Sequence, residues 1–168
     1  LRQLFAQIDP SEVVAISING TSGTVLLCDD NGLPVADALM YNDASCTEQA
    51  EHIKAIAPNT SGAHGSSSGL AKLLYLQEKH PDATRALHQA DWIAGQLSGR
   101  FDITDENNAL KTGYDPQSKK WPDWLQQLNI NTNILPGVVA PGKVIGTLKS
   151  GLFTRYELNP NCLLVSGT

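Results

Sequence analysis

The sequence predicts an α/β domain, in which short strands alternate with amphipathic helices. Near both ends of the chain, an apolar strand-like run passes into a turn of small polar residues, at 13–18 and again at 162–165. Between them, three segments place apolar residues at the spacing of a buried helical face. These segments are residues 43–57, 69–80 and 83–97.

Composition narrows the class of protein. At 168 residues the chain can bury one full core, and 41% hydrophobic with 17% charged residues excludes a disordered chain. The net charge of −5 is spread without a basic stripe, which argues against a nucleic-acid surface. No apolar run reaches the ~20 residues of a membrane span. We therefore expect a cytoplasmic protein with neither a nucleic-acid nor a membrane partner.

Cysteine and histidine spacing predicts no metal site. The three cysteines are far apart and odd in number, and none of the four histidines has ligand spacing. Neither a disulfide framework nor a zinc site is indicated, and satisfied core or surface histidines are the default interpretation.

The N-terminal part of the chain predicts a helix followed by strands. Residues 1–8 carry apolar side chains at helical spacing before Asp9-Pro10. Residues 13–18 are almost continuously apolar, which predicts a strand covered on both faces. The next predicted elements are a small-residue turn, a strand, a hairpin turn and a third strand, at residues 19–24, 25–29, 29–32 and 33–41.

Three helices are predicted in the middle of the chain. The first spans 43–57, with Asp43 as its N-cap. Serines at the end of a Gly/Ser-rich loop, residues 59–68, can cap the second helix, over 69–80. The third spans 83–97 and is followed by a glycine suited to closing it.

Beyond residue 100 the sequence becomes polar and rich in turns. Thr104 and Asp105 can cap a short helix, and Pro122 can open another over 121–128. The remaining predicted elements are a loop leading to 145–148, a helix near 153–158 and a strand at 162–165.

The turn at 19–24 is the first candidate for ligand binding. It offers two hydroxyls, Thr21 and Ser22, beside glycines that let a polar ligand approach the backbone. From spacing alone, a tight strand connection without any ligand is the favoured interpretation.

Several motifs, taken in order, resemble the FGGY carbohydrate kinases, the sugar-kinase branch of the actin-like ATPase fold. The family's strand, turn and hairpin are matched by residues 16–24 and 26–34, and its Trp/Tyr-Asn/Gln-Asp stretch by Tyr41-Asn42-Asp43. Its Ser-Lys-Leu-Leu-Trp-Leu helix, its Asp-Trp-Ile helix and its Thr-Asp-x-x-Asn-Ala element are matched by residues 71–76, 91–99 and 104–109.

This resemblance implies a ribonuclease-H-like fold and a two-lobe sugar kinase. Residues 1–168 would form one partial domain, the N-terminal lobe without its first strands and without the C-terminal ATP lobe. The family's phosphate-binding aspartate and its catalytic aspartate have no match, so we expect no catalytic residue within these residues. ATP and Mg²⁺ are expected for the intact enzyme, and neither is expected to bind this part of it.

Within the family, the resemblance is greatest to the ribulose-kinase-like branch, once described as xylulose kinases. Xylulose kinases carry Met-His where this chain has Thr21-Ser22, which favours ribulose or a related ketose. The resemblance implies phosphorylation of a ketopentose such as ribulose or xylulose. It makes Ser22 the first candidate for a sugar contact and Thr21 the second, whereas Asp43 is favoured as a helix cap over a sugar ligand.

Two other classes of function remain open. One is a non-catalytic actin-like sensor or scaffold, which an aspartate just beyond Thr168 would exclude. The other is an α/β domain that binds a ligand without phosphoryl transfer, which sugar binding independent of ATP would indicate. An unpaired strand edge beside 13–18 would favour a homodimer or strand exchange.

Overall fold

The computed structural model describes residues 2–167, whose strands are short and whose helices lie between them. The strands are β1 (Ala15–Ser17), β2 (Val25–Cys28), β3 (Arg85–His88), β4 (Ile103–Asp105), β5 (Gly137–Val139), β6 (Val144–Thr147) and β7 (Leu163–Val165). The helices are α1 (Arg2–Phe5), α2 (Thr47–Ile56), α3 (Gly69–Lys79), α4 (Gln89–Ser98), α5 (Glu106–Leu110) and α6 (Ser150–Tyr156). Short 3₁₀ turns occupy Pro10–Glu12, Asp123–Leu128 and Thr132–Ile134.

The strands form three separate small sheets. In the first, β7 lies between β1, which is parallel to it, and β6, which is antiparallel. β2 and β3 form an antiparallel pair, and β4 and β5 form a parallel pair. The sheet containing β1 and β7 therefore joins the two ends of the chain.

The main core lies between α2, α3 and the β2–β3 pair. Its buried side chains include Leu27 of β2, Ile53 of α2, and Leu70 and Leu73 of α3. Ser68 accepts a hydrogen bond from the Ala71 N–H and caps α3, as predicted. This capped and buried helix is the rigid element on which the nearby loops are arranged.

Two smaller clusters complete the interior. One packs Phe5 and Leu97 against Leu164 of β7. The other packs the Phe101 ring with Leu26 and Leu87 of the β2–β3 pair. Gly99 takes the left-handed conformation, φ 87°, and closes α4, which confirms the predicted role of that glycine.

The strand predicted at 13–18 is shorter and more exposed than expected. Only Ala15–Ser17 pair with a neighbour, and in the described chain Ala15 and Ser17 are exposed while Ile16 is half-buried. Within the described residues, β1 is therefore not covered on both faces, and that prediction is wrong. β1 lies at the edge of its sheet. A continuous apolar run is found in edge strands as well as in central strands, so the sequence alone does not separate the two.

Three other predictions are corrected. The segment 33–41 is no regular strand: it pairs with β2 through the isolated bridges Val25–Leu39 and Cys28–Pro34. The helix predicted at 83–97 begins instead at Gln89, because the preceding residues pair with β2 as β3. Pairing with a neighbouring strand thus overrode a helix-like apolar spacing. The strand β5, at Gly137–Val139, was predicted as a loop.

Near the C-terminal end the elements are present with shifted bounds. The helix predicted near 153–158 spans Ser150–Tyr156, and the one predicted over 121–128 is a 3₁₀ turn with Pro122 as its N-cap. The final strand is confirmed at Leu163–Val165. In the described part of the chain, no helix has the length and apolar character needed to cross a membrane.

Candidate functional site

The turn between β1 and β2 is held from inside by two buried side chains. Gly23, with φ 95°, directs its N–H towards His88 Nδ1 at 3.3 Å. Its carbonyl accepts a hydrogen bond from Lys72 Nζ at 2.8 Å. A residue with a side chain rarely adopts this φ, so glycine is needed here for the turn to reach both partners.

Lys72 is the centre of the site. It lies in the first turn of α3 and is 0% exposed. Its ammonium donates to the carbonyls of Gly23 at 2.8 Å, Ser67 at 2.8 Å and Tyr41 at 3.1 Å. An ammonium has three N–H donors, so this carbonyl set satisfies all of them. Burial lowers the pKa of Lys72, and the nearby Asp43 carboxylate opposes that shift.

His88 supports the same turn from the end of β3. Its Nδ1 faces the Gly23 N–H, which can only donate, so the neutral ring carries its proton on Nε2. Nε2 lies 2.9 Å from Thr112 Oγ1. Burial, together with the positive charge of Lys72, lowers the pKa of His88 to about 4. The neutral ring is therefore the form that holds the turn.

Thr24 ties the turn to the segment around Tyr41. Its buried hydroxyl accepts the Tyr41 N–H at 2.9 Å, and its carbonyl accepts the Gln89 N–H at 3.1 Å. The Tyr41 side chain is 49% exposed. Three loops that are far apart in sequence thus meet at one fixed point, around Gly23, Tyr41 and Ser67.

Thr21 and Ser22, two of the predicted site residues, lie on this turn. Thr21 is exposed and Ser22 is half-buried. The structure places both immediately before the glycine that Lys72 and His88 hold. A hydroxyl on a rigid turn can donate one hydrogen bond and accept others, as a polyhydroxylated ligand requires.

Asp43 is not a helix cap. Helix α2 begins at Thr47 with Cys46 at the N-cap position, three residues later than a cap at Asp43 requires. The Asp43 Oδ1 instead accepts the Ser45 N–H at 2.9 Å, and its hydrogen bonds with Ser45 hold the pKa of the carboxyl below its usual range. The Asp43 carboxylate therefore stabilises a local turn instead of capping a helix.

Three residues of the site were missed from the sequence. Lys72 lies in the helix that matches the family motif, but the sequence predicts no role for its side chain and no contact for Tyr41 or Ser67. The available signal was a lysine inside the apolar run Leu70–Leu76, where a charge is costly unless it is paired. A fully buried lysine at such a position indicates carbonyl or carboxylate partners.

A separate cleft of about 400 Å³ lies next to the outer part of the Gly/Ser-rich loop. Tyr114, Trp124 and Pro116 form its apolar wall, and Asp115 lies at its edge. The Asp115 carboxylate is already engaged by the Gln117 N–H and the Ser118 hydroxyl.

Comparison with known proteins identifies the family. The model of the FGGY family of carbohydrate kinases, N-terminal domain, matches residues 1–168. The chain is 29% identical over 153 residues to a xylulose kinase of Streptomyces coelicolor, covering 83% of this chain. It is 28% identical over 151 residues to a ribulokinase of Mycolicibacterium smegmatis, covering 74% of this chain.

Solved structures agree on the fold. A gluconate kinase from Lactobacillus acidophilus superposes with a TM-score of 0.84 at 20% identity, covering 99% of this chain and 36% of its own. A ligand-bound xylulose kinase from the same organism gives the same TM-score and coverage. The predicted α/β fold, that of the N-terminal part of these sugar kinases, is thereby confirmed.

The chain spans only part of its relatives. It covers 32% of the S. coelicolor xylulose kinase and 26% of the M. smegmatis ribulokinase. The match to the family model nevertheless extends over every residue of the sequence. The chain therefore belongs to the FGGY family of carbohydrate kinases, and its residues correspond to the family's N-terminal domain.

Proposed function

We propose that the protein containing this chain transfers a phosphoryl group from ATP to a hydroxyl of a pentulose, either ribulose or xylulose. The observation that carries the proposal is the family match over residues 1–168. Relatives named xylulose kinase and ribulokinase support a five-carbon ketose as the acceptor. The Ser22 that replaces the histidine of typical xylulose kinases favours ribulose.

In this proposal the described residues bind and orient the sugar. The Ser22 hydroxyl is the first contact and the Thr21 hydroxyl the second, because both lie on the rigid turn before Gly23. Asp43 is the weaker candidate, because its carboxylate accepts the Ser45 N–H. Phosphoryl transfer depends mainly on positioning the attacking hydroxyl in line with the phosphate, which such a turn assists.

ATP is the phosphoryl donor that the family implies, and Mg²⁺ commonly accompanies it. The described residues do not fit a metal site: over 2–167, no three His, Cys, Asp or Glu side chains group so that they could hold an ion. We therefore derive no step through the metal, and we assign no catalytic base among these residues. In this proposal these residues bind the sugar.

The reaction is tested with the full-length protein in an ATP-consumption assay over a panel of ketoses and polyols. We expect turnover with D-ribulose or D-xylulose and little with aldoses. If no sugar in the panel is turned over, the proposed kinase activity is excluded. Sugar binding without turnover would then favour a ligand-binding domain, and neither binding nor turnover would favour a scaffold.

Ser22→Ala tests the sugar contact. We expect the KM for the best ketose to rise about threefold to tenfold, as the loss of one hydrogen bond of ~1 kcal/mol implies. The KM for ATP stays nearly unchanged, because the turn faces the sugar. Ser118→Ala, on an exposed turn elsewhere, is the matched control. An unchanged kcat/KM for the ketose in Ser22→Ala would remove this residue from the site.

A further inference from the structure

We propose that Lys72 is a positioning residue for the sugar: it fixes the loops that bind the pentulose although its own side chain does not touch the ligand. The inference rests on the proposed function and deepens it. Lys72 is 0% exposed, whereas Thr21 and Tyr41 of the loops it holds are exposed. Its effect on the sugar must therefore pass through the backbone of those loops.

The bonding pattern of the ammonium supports this role. Its three acceptors belong to three segments: Gly23 on the β1–β2 turn, Tyr41 after the hairpin, and Ser67 before α3. The Thr24–Tyr41 hydrogen bond and the Val25–Leu39 bridge also join the first two segments, and the Lys72 ammonium ties both of them to Ser67. One side chain on the rigid α3 thus sets the position of one loop relative to another.

The chemistry of the site requires a cation with three donors. None of the ion pairs recorded within residues 2–167 includes Lys72, so its charge is balanced mainly by carbonyl dipoles. Removing the ammonium leaves three inward-facing carbonyls without a donor, and buried unsatisfied acceptors are unfavourable. The loops would then move to reach water, and the hydroxyls they carry would move with them.

Lys72 is not an acid or base in this scheme. All its N–H groups are engaged by carbonyls, and none is free to approach a phosphoryl group. Loss of the side chain should therefore weaken sugar binding more than it weakens the ATP interaction. A general loss of stability would not separate the two substrates in this way.

Lys72→Met in the full-length enzyme is the direct test. We expect the KM for D-ribulose or D-xylulose, whichever is turned over faster, to rise about tenfold or more. The KM for ATP should stay within about twofold. Lys79→Met is the matched control, on the exposed end of the same helix. Equal changes in both KM values, or no change in either, would overturn the inference.

A measurement on the unsubstituted enzyme covers the case in which Lys72→Met does not fold. Amide hydrogen exchange is followed with and without the same ketose, in the absence of ATP. We expect the ketose to slow exchange in peptides covering 19–24, 39–43 and 65–68 together, because one ammonium joins them. Protection of one segment alone, or of none, would overturn the inference.

The two proposals fail in different ways. If the unsubstituted enzyme turns over neither pentulose, the proposed function fails and the role of Lys72 fails with it. If it turns over a pentulose but Lys72→Met leaves the ratio of the two KM values unchanged, only the positioning role fails.

Discussion

At the scale of single residues, His88 and Asp91 form a buried pair with opposite responses to pH. The backbone N–H of His88 donates to Asp91 Oδ2 at 3.1 Å, and both side chains are buried. Burial lowers the pKa of His88 to about 4, and burial raises the pKa of Asp91 to about 7 with help from the neighbouring Asp105 charge. The neutral forms of both groups are thus favoured near pH 6.

The two groups contribute to stability in opposite directions. The contribution of His88 is complete above its ordinary pKa of 6.5 and is lost as the pH falls towards 4, because only the unfolded chain then binds the proton. The contribution of Asp91 is complete below its ordinary pKa of 3.8 and is lost as the pH rises through 7. Between pH 4 and 6.5 the two slopes nearly cancel.

In Asp91→Asn, the free energy of unfolding should show the pH dependence that His88 alone causes. The amide oxygen can still accept the His88 N–H, but the group no longer titrates. We expect the free energy of unfolding to fall by about 1.4 kcal/mol for each pH unit of acidification from pH ~6 to ~5, compared with little change from this pair in the unsubstituted protein. Urea unfolding followed by tryptophan fluorescence measures this. The same slope in both proteins would contradict the assignment.

The sequence predicts hydrogen bonds between residues a few positions apart better than it predicts bonds between distant parts of the chain. Asp105 caps α5 by accepting the Asn107 and Asn108 N–H groups, as expected. Asp43 was assigned to a cap by the same rule, yet it turns back to Ser45. The partners of Lys72 come from three loops, and no spacing rule brings Gly23, Tyr41 and Ser67 together.

At the scale of elements, the Phe101 ring sets how closely α4 approaches the hairpin turn. The ring is buried, and a Cβ on Gly95 of α4 or on Gly32 of the turn would overlap it. The Trp92 indole donates to the Gly32 carbonyl at 2.8 Å beside it. The two glycines therefore make the space into which the aromatic ring packs.

Gly95→Ala should destabilise the protein even though alanine favours helices. The added methyl must displace the Phe101 ring and also crowds the Arg100 carbonyl, so we expect a cost towards the upper end of about 1–3 kcal/mol, above the gain of ~1 kcal/mol in helix propensity. Gly151→Ala in α6 is the control, because open space surrounds that position, and it should be neutral or stabilising. Thermal unfolding of both variants measures the difference. A higher Tm for Gly95→Ala would contradict the prediction, because it would show that the Phe101 ring can move aside at little cost.

Element prediction succeeded for segments whose pattern and caps agree. Helix α3 combines an apolar stripe with the Ser68 cap, and it was predicted closely. The sequence of β3 predicts a helix because Leu87 also fits the apolar face formed by Ala90 and Leu97. The segment forms a strand because it pairs with β2, about 60 residues earlier in the chain, and the sequence of the segment itself does not show this pairing.

At the scale of the whole molecule, β1 is the exposed edge of its sheet. Val14, next to this strand, is 70% exposed, and Leu163 of the neighbouring β7 is 38% exposed. Unpaired backbone groups beside apolar side chains form a template for pairing with another chain. This edge is therefore one place on the described surface where a further strand can bind.

Residues 1–168 prepared alone should self-associate through this edge. We expect Val14→Lys to shift the chain towards monomer, because a charge at the edge opposes pairing between strands. Ala55→Lys, on the exposed face of α2, should leave the association unchanged. Light scattering after size exclusion gives the mass of each. A monomeric unsubstituted chain would remove the edge as an association surface.

The parallel pairing of β1 with β7 also affects the order in which the molecule folds. Ala15 lies beside Leu163, so nearly the whole chain must be synthesised before these two strands can meet. Contacts between residues so far apart in sequence form slowly, because the intervening chain must first be ordered. The β2–β3 pair and α3 need fewer residues and can form while synthesis continues. We therefore expect the β1–β7 pairing to form later than the β2–β3 pair.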